Sequence, residues 1–244
     1  MPRRLPSLAA VIALFAFLAS TAQGHLALGE GCDGRAHSVG DRTTGYAAAA
    51  RGPVEALKAP GGQQLRAYRR INQNGVRTVF GVLATVRGPD CKALWYRVQL
   101  PSRPNGARGY VAAPSVALFA VRTRIDVFLS RRRLTLFRNG TRILTTTIGV
   151  GTTDTPTPTG RYYVNQKLRA DDPTGPFGPA AIGVSAFSPV LTDWAQGGPI
   201  AVHGTNDPSS VGRAASHGCI RIQNDVLRRL FRLTPTGSPV VIHA

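Results

Sequence analysis

Glycine and proline punctuate this chain so often that it reads as many turns and few long helices. It holds 27 glycines and 18 prolines, and both residues weaken a helix interior. Between them the apolar residues come in short runs rich in β-branched and aromatic side chains, which suit strands. Thr78–Val86 (TVFGVLATV) and Leu94–Leu100 (LWYRVQL) are two such runs. PSRPNGARG, dense in turn formers, follows them, and YVAAPSVAL closes the unit. Farther on, RIDVFL, RRLTLFRNG and TRILTTTIGV read as consecutive antiparallel strands, with Asn-Gly as a tight-turn signal. TPTPTGRYYV is a turn and a strand, and SPVVIHA is a final strand. The good helical pattern is NDVLRRLFRL, which puts Val226, Leu227, Leu230 and Leu233 on one face. Asn224 or Asp225 is positioned to cap it. The expected fold class is mainly β: a small β-barrel, then a β-rich domain with one helix on its C-terminal side.

The first residues have another character. MPRR is a short positive region, LPSLAAVIALFAFLAS an apolar run, and TAQG a set of small residues. Together they form the three-part pattern of a secretory signal. The apolar run falls short of the ~20 residues that a spanning helix needs. We expect residues 1–24 to be an export signal, with an uncleaved anchor as the alternative. The protein is then expected at the cell envelope or in the periplasm. The polar, Gly-rich stretch 25–43 reads as a tether, 44–120 as the first domain and 122–244 as the second.

Charge narrows the partners. There are 30 basic and 12 acidic residues, a net charge of +18, which draws a surface to polyanions. An anionic cell-wall polymer or membrane face fits this, as does a merely arginine-biased, solvated surface. The basic residues are scattered apart from Arg131–Arg133, and no nucleic-acid motif accompanies them. No nucleic acid is expected as partner. Oligomeric state is left open.

The chain has three cysteines. Cys32 and Cys91 lie in the N-terminal half, and in an exported protein their economical arrangement is a disulfide, stabilising by ~3–4 kcal/mol. That leaves Cys219 as the odd thiol, in ASHGCIRIQND. It is a reactive thiol, an intermolecular link or an inert buried thiol. The neighbours favour the first reading. His203 ends an apolar run in PIAVHGTNDPSS. A free thiol with a pKa of ~8.5 is barely ionised at neutral pH, and an imidazole can take its proton and return it to a leaving amine. His217 stands two residues before Cys219, so on an extended segment both side chains share a face. Gly218 lets the backbone approach a substrate, and the Gly218 and Cys219 amides are candidates to hold an oxyanion.

The segment HGTNDPSSVGRAASHGCIRIQND resembles the signature of the L,D-transpeptidases, the YkuD-like peptidoglycan cross-linking enzymes. That signature is His-Gly, a loop, then Ser/Thr-His-Gly-Cys, an apolar residue and Arg or Asn. Here it falls on His203, Gly204, Ser216, His217, Gly218, Cys219, Ile220 and Arg221. The resemblance runs upstream through TPTPTGRYYV and downstream to LTPTGSPVVI. It implies a β-rich catalytic domain in which Cys219 forms an acyl-enzyme and His203 is the general base. His217 would orient the thiolate or shape the oxyanion site. Ser216 would hold the motif loop, with Gly204 and Gly218 near the substrate. Arg221 would grip a substrate carboxylate or else form a structural ion pair. The implied partner is the peptidoglycan stem peptide, with no cofactor and no metal. WYRVQLPSRPNGARGYV separately resembles the last strands of bacterial SH3-like modules.

Other readings compete. A peptidoglycan L,D-carboxypeptidase or Cys-His amidase uses the same thiol with water as acceptor, although wall amidases usually carry Cys before His. A zinc site of His203, His217, Cys219 and His243 lacks a common zinc spacing. A non-catalytic wall-binding protein leaves the Cys-His constellation without a purpose.

Overall fold

The punctuated strands assemble into two β-units. The computed structural model describes residues 31–244; the expected export signal lies outside them. The first unit holds β1 (Ala36–Ser38), β2 (Gly45–Ala50), β3 (Val54–Leu57), β4 (Gln64–Tyr68), β5 (Val79–Arg87), β6 (Ala93–Gln99), β7 (Arg108–Ala112) and β8 (Val116–Val121). Their order is β4-β3-β7-β6-β5-β2-β8, with β1 also on β5. Part of the stretch read as a tether is therefore held to the sheet. Ala36 pairs with Val86, and the Cys32–Cys91 disulfide fastens the segment just ahead of it. The edge of β5 satisfies backbone groups that a polar, Gly-rich composition gives no reason to order.

The second unit holds β9 (Thr123–Phe128), β10 (Arg133–Arg138), β11 (Thr141–Thr147), β12 (Val150–Gly151), β13 (Gly160–Arg169), β14 (Ala180–Phe187), β15 (Pro199–His203), β16 (Ala214–Ser216) and β17 (Ile220–Arg221). The helix α1 (Asn224–Leu233) and the strand β18 (Pro239–His243) complete it. The main sheet runs β11-β10-β9-β18-β13-β14-β15-β17. Asn139 (φ 49°) and Gly140 (φ 78°) make the tight turn between β10 and β11. Leu227 and Leu230 of α1 are fully buried in the core with Ile182, Ile200 and Ile220. Val226 and Leu233 pack partly against it.

Capping differs from the expectation. The residue at the cap is Gln223, without a side-chain cap bond. Asn224 is the first helical residue, and its carboxamide is spent on Thr205: Oδ1 accepts from the amide at 2.9 Å and Nδ2 donates to the carbonyl at 3.0 Å. A long-range partner has outcompeted the local one.

The two units are packed together. β2, GYAAAA, sends Tyr46, Ala48 and Ala50 into its own core, and Ala47 and Ala49 to the opposite side. A strand apolar on both faces needs cover on both. Across the junction the Tyr163 hydroxyl donates to the Val79 carbonyl at 3.1 Å, and the Gln99 amide donates to the Arg161 carbonyl at 2.9 Å. No helix among the described residues is long and apolar enough to cross a membrane.

Candidate active site

β15 and β17 run parallel in a register that pairs Val202 with Ile220 and His203 with Arg221. Cys219, one residue ahead of β17, comes to the level of Ala201. Its sulfur receives a hydrogen bond from the Ala201 amide and donates to the Pro199 carbonyl at 3.9 Å. The Arg221 charge acts on both His203 and Cys219. Two adjacent short strands thus gather the three residues at one end of the sheet.

His203 is only 3% exposed. Its Nδ1 lies 2.5 Å from the Gly204 carbonyl. A carbonyl only accepts, so Nδ1 carries the proton and Nε2 presents a lone pair. The Phe177 ring stands edge-on to the imidazole at 5.0 Å. Burial lowers the His203 pKa from 6.5 to about 4. The Gly204 hydrogen bond opposes this and the Arg221 charge adds to it. Burial pushes the Cys219 thiol up, against the Ala201 amide and Arg221. Both shifts favour the neutral forms, a thiol and a free base rather than a preformed ion pair.

The motif turn is held from behind. The Ser216 hydroxyl donates to the Cys219 carbonyl at 2.5 Å and accepts from the Gly218 amide at 3.2 Å. The Thr155 hydroxyl donates to the Ser216 carbonyl at 3.1 Å, and that of Thr157 to the Gly218 carbonyl at 2.8 Å. Gly218 has φ 109°, a conformation that disfavours any side chain. Its amide, read from the sequence as an oxyanion donor, is instead taken up by Ser216. The bend also overturns the extended geometry assumed for His217 and Cys219. His217 is exposed and leans on Trp194, with ring centroids 5.3 Å apart.

Gly204 is a glycine for packing, because a Cβ there would lie 3.1 Å from the Gly178 Cα and collide with the Asn224 carboxamide. Arg221 makes none of the ion pairs among the described residues, and its Nε is buried without a hydrogen-bond partner. Its charge nevertheless acts on Asp207, whose carboxyl it helps hold below the ordinary value. His243 stacks on Phe128 at 4.6 Å. Among the described residues no three His, Cys, Asp or Glu side chains stand together as metal ligands, so the four-residue zinc reading is not assembled.

Several site residues escape the sequence reading. Phe177 and Trp194 are 59% and 53% exposed, in loops dense in glycine and proline. A large aromatic in such a loop is a usable signal, since nothing in the core demands it. Thr155 and Thr157 sit in TPTPTG, which reads locally as a turn and nothing more.

A thiol, a buried imidazole and a guanidinium whose Nε lacks a hydrogen-bond partner lie at one end of the sheet, a set of groups suited to acyl transfer. The L,D-transpeptidase catalytic domain model named YkuD matches residues 122–242. The YkuD protein of Bacillus subtilis (strain 168) is 31% identical over 150 residues, covering 59% of this chain and 84% of that protein. The YkuD protein of Bacillus licheniformis is 35% identical over 119 residues, covering 49% and 64%. The solved catalytic domain from the E. faecium L,D-transpeptidase is 27% identical with a TM-score of 0.36, covering 49% of this chain and 95% of that domain. The chain belongs to the YkuD family of L,D-transpeptidase catalytic domains.

Proposed function

We propose that the protein acylates at Cys219 on a peptidoglycan tetrapeptide stem, releases D-alanine, and passes the acyl group to an amine to form a cross-link. The observation that carries this reading is His203: buried, with Nδ1 held by Gly204 and Nε2 free, beside the strand that Cys219 leads. Sγ attacks the carbonyl joining the third stem residue, typically a diaminopimelate, to D-alanine. Because thiol and imidazole start neutral, the proton moves to Nε2 within the acylation step. The Cys219 amide faces the developing oxyanion, and the imidazolium protonates the departing amine of D-alanine. A neighbouring stem amine then attacks the thioester, gives its proton to His203, and restores the thiol. The bond broken supplies the energy, so neither ATP nor a cofactor takes part.

The unpartnered Nε of Arg221 supports a role in gripping a stem carboxylate, since a buried guanidinium nitrogen without an acceptor is costly. The first β-unit we read as an SH3-like, wall-facing companion. Export and the basic surface fit an enzyme working on the wall. Intact-mass analysis with purified tetrapeptide stems tests the proposal. The wild type should gain the mass of the stem less D-alanine, and an added amine should clear it into a cross-linked product. Clearance by water alone would mark a carboxypeptidase. Cys219→Ala should form no adduct, and D-alanine release by that variant at the wild-type rate would refute the assignment.

A further inference from the structure

We propose that Arg103, Asn105 and Asn74 of the first β-unit are positioning residues for the active site, acting through the segment Phe187–Gly198. This rests on the acyl-transfer reading above and extends it to the other unit. The segment joins β14 to β15 and ends at Pro199, whose carbonyl accepts from the Cys219 sulfur. Midway it carries Trp194, which packs on His217.

Three contacts from the first unit hold this segment. The Asn105 carboxamide satisfies both backbone groups of Phe187, donating to its carbonyl and accepting from its amide at 2.8 Å each. The Arg103 guanidinium ties the two ends of the segment together. Nη2 reaches the Ser188 carbonyl at 2.5 Å and the Gly197 carbonyl at 2.8 Å, and Nε adds a bond to Gly197 at 3.2 Å. Asn74 and Gln196 exchange amide hydrogen bonds at 2.8 and 3.2 Å. Gln196, Gly197 and Gly198 have φ of 61°, 77° and 65°. A left-handed backbone is unfavourable for a non-glycine residue, and at Gln196 the reciprocal pair with Asn74 offsets it. The segment buries little of its own, with Val190 and Trp194 about half exposed. Bonds within the segment join its ends, Ser188 amide to Gly198 carbonyl at 2.8 Å, and the contacts from across the junction hold it, and with it the wall on which His217 rests, against the first unit.

The test uses the full chain. Of its two tryptophans, Trp95→Phe removes one and leaves Trp194 as reporter. In that background His217→Ala should change Trp194 emission, because the rings touch. In Arg103→Ala/Asn105→Ala, the same His217→Ala should change nothing further. With tetrapeptide stem, Arg103→Ala should raise KM roughly tenfold and move kcat by less than about threefold, the pattern of a lost binding wall. Arg103→Lys should fall between, since one ammonium can replace the two bonds of Nη2 but not the additional bond from Nε in the planar fork. Alkylation of Cys219 by iodoacetamide should proceed at the wild-type rate, which separates a displaced wall from a damaged fold. Wild-type KM in the double variant, or Trp194 emission still responding to His217 there, would overturn the proposal. If the wild type itself forms no acyl-enzyme, the acyl-transfer reading fails while the emission experiment still decides the positioning.

Discussion

The two walls of the site are built by different means. On one side His203 sits at the end of β15, paired to β17 and backed by Val202 and Ile220, both fully buried. On the other, the Ser216–Gly218 turn hangs on threonine hydroxyls, and its exposed His217 leans on the half-exposed Trp194. The first wall is core, and its price is a neutral imidazole. The second is a set of side-chain ties, and those on the segment that carries Trp194 reach from the first β-unit. The difference matches the proposed roles: the imidazole proposed as proton acceptor is fixed by the sheet, while the turn beside it is held by side-chain hydrogen bonds.

The largest effect expected from breaking this contrast is at His203. His203→Ala should lower the single-turnover acylation rate by roughly two to four orders of magnitude, the usual range for a general base. The pH profile sharpens the point. With burial holding the pKa at about 4, the wild-type acid limb should lie near pH 4, and the rate should be flat through pH 6. An acid limb at the ordinary histidine value of ~6.5 would show that the imidazole is solvated when it works, and the fixed wall would lose its distinguishing feature.

What the sequence makes readable here is local. Asn139-Gly140 announces its hairpin, and the spacing of Leu227 and Leu230 announces the buried helix face. His203 and Cys219 stand out because rare residues fall at a family spacing. What stays hidden depends on distant partners. Asn224 has the sequence position of a cap, yet Thr205 takes its carboxamide. The alternation rule fails at His217 because Gly218 bends the chain. The pKa of His203 follows from burial, which the residue type does not encode. The GYAAAA strand carries a signal in plain view, since apolarity on both faces forecasts cover on both.

The second effect is on stability and again singles out the buried histidine. The folded pKa of about 4 lies below the unfolded value of 6.5. Between these values the unfolded chain binds a proton that the folded one refuses. Stability is thus full above pH 6.5, declines as pH falls, and stops declining for this reason below pH 4. The loss across the window is about 3 kcal/mol. Urea unfolding at pH 7.5 and pH 4, compared for wild type and His203→Gln, measures it. The variant should lose less stability than the wild type over that interval. Equal losses would mean that His203 accepts a proton in place.

The smallest effect is expected at His217, and it decides between the histidines. His217 is the closer of the two to Cys219 in sequence, so a reading from proximity alone would make it the base. Its surroundings argue otherwise. It is exposed, it packs on an indole, and the turn that carries it is held by Ser216, Thr155 and Thr157 rather than by its own ring. A lysine there places a cation that the Trp194 face can receive, but it cannot serve as a base near neutral pH. His217→Lys should therefore keep single-turnover acylation within about tenfold of wild type, far above the floor left by removing a general base. The comparison is run from pH 5 to pH 9 beside His203→Ala. A dead His217→Lys together with an active His203→Ala would exchange the roles of the two residues, and the base would then stand on the wall of side-chain ties.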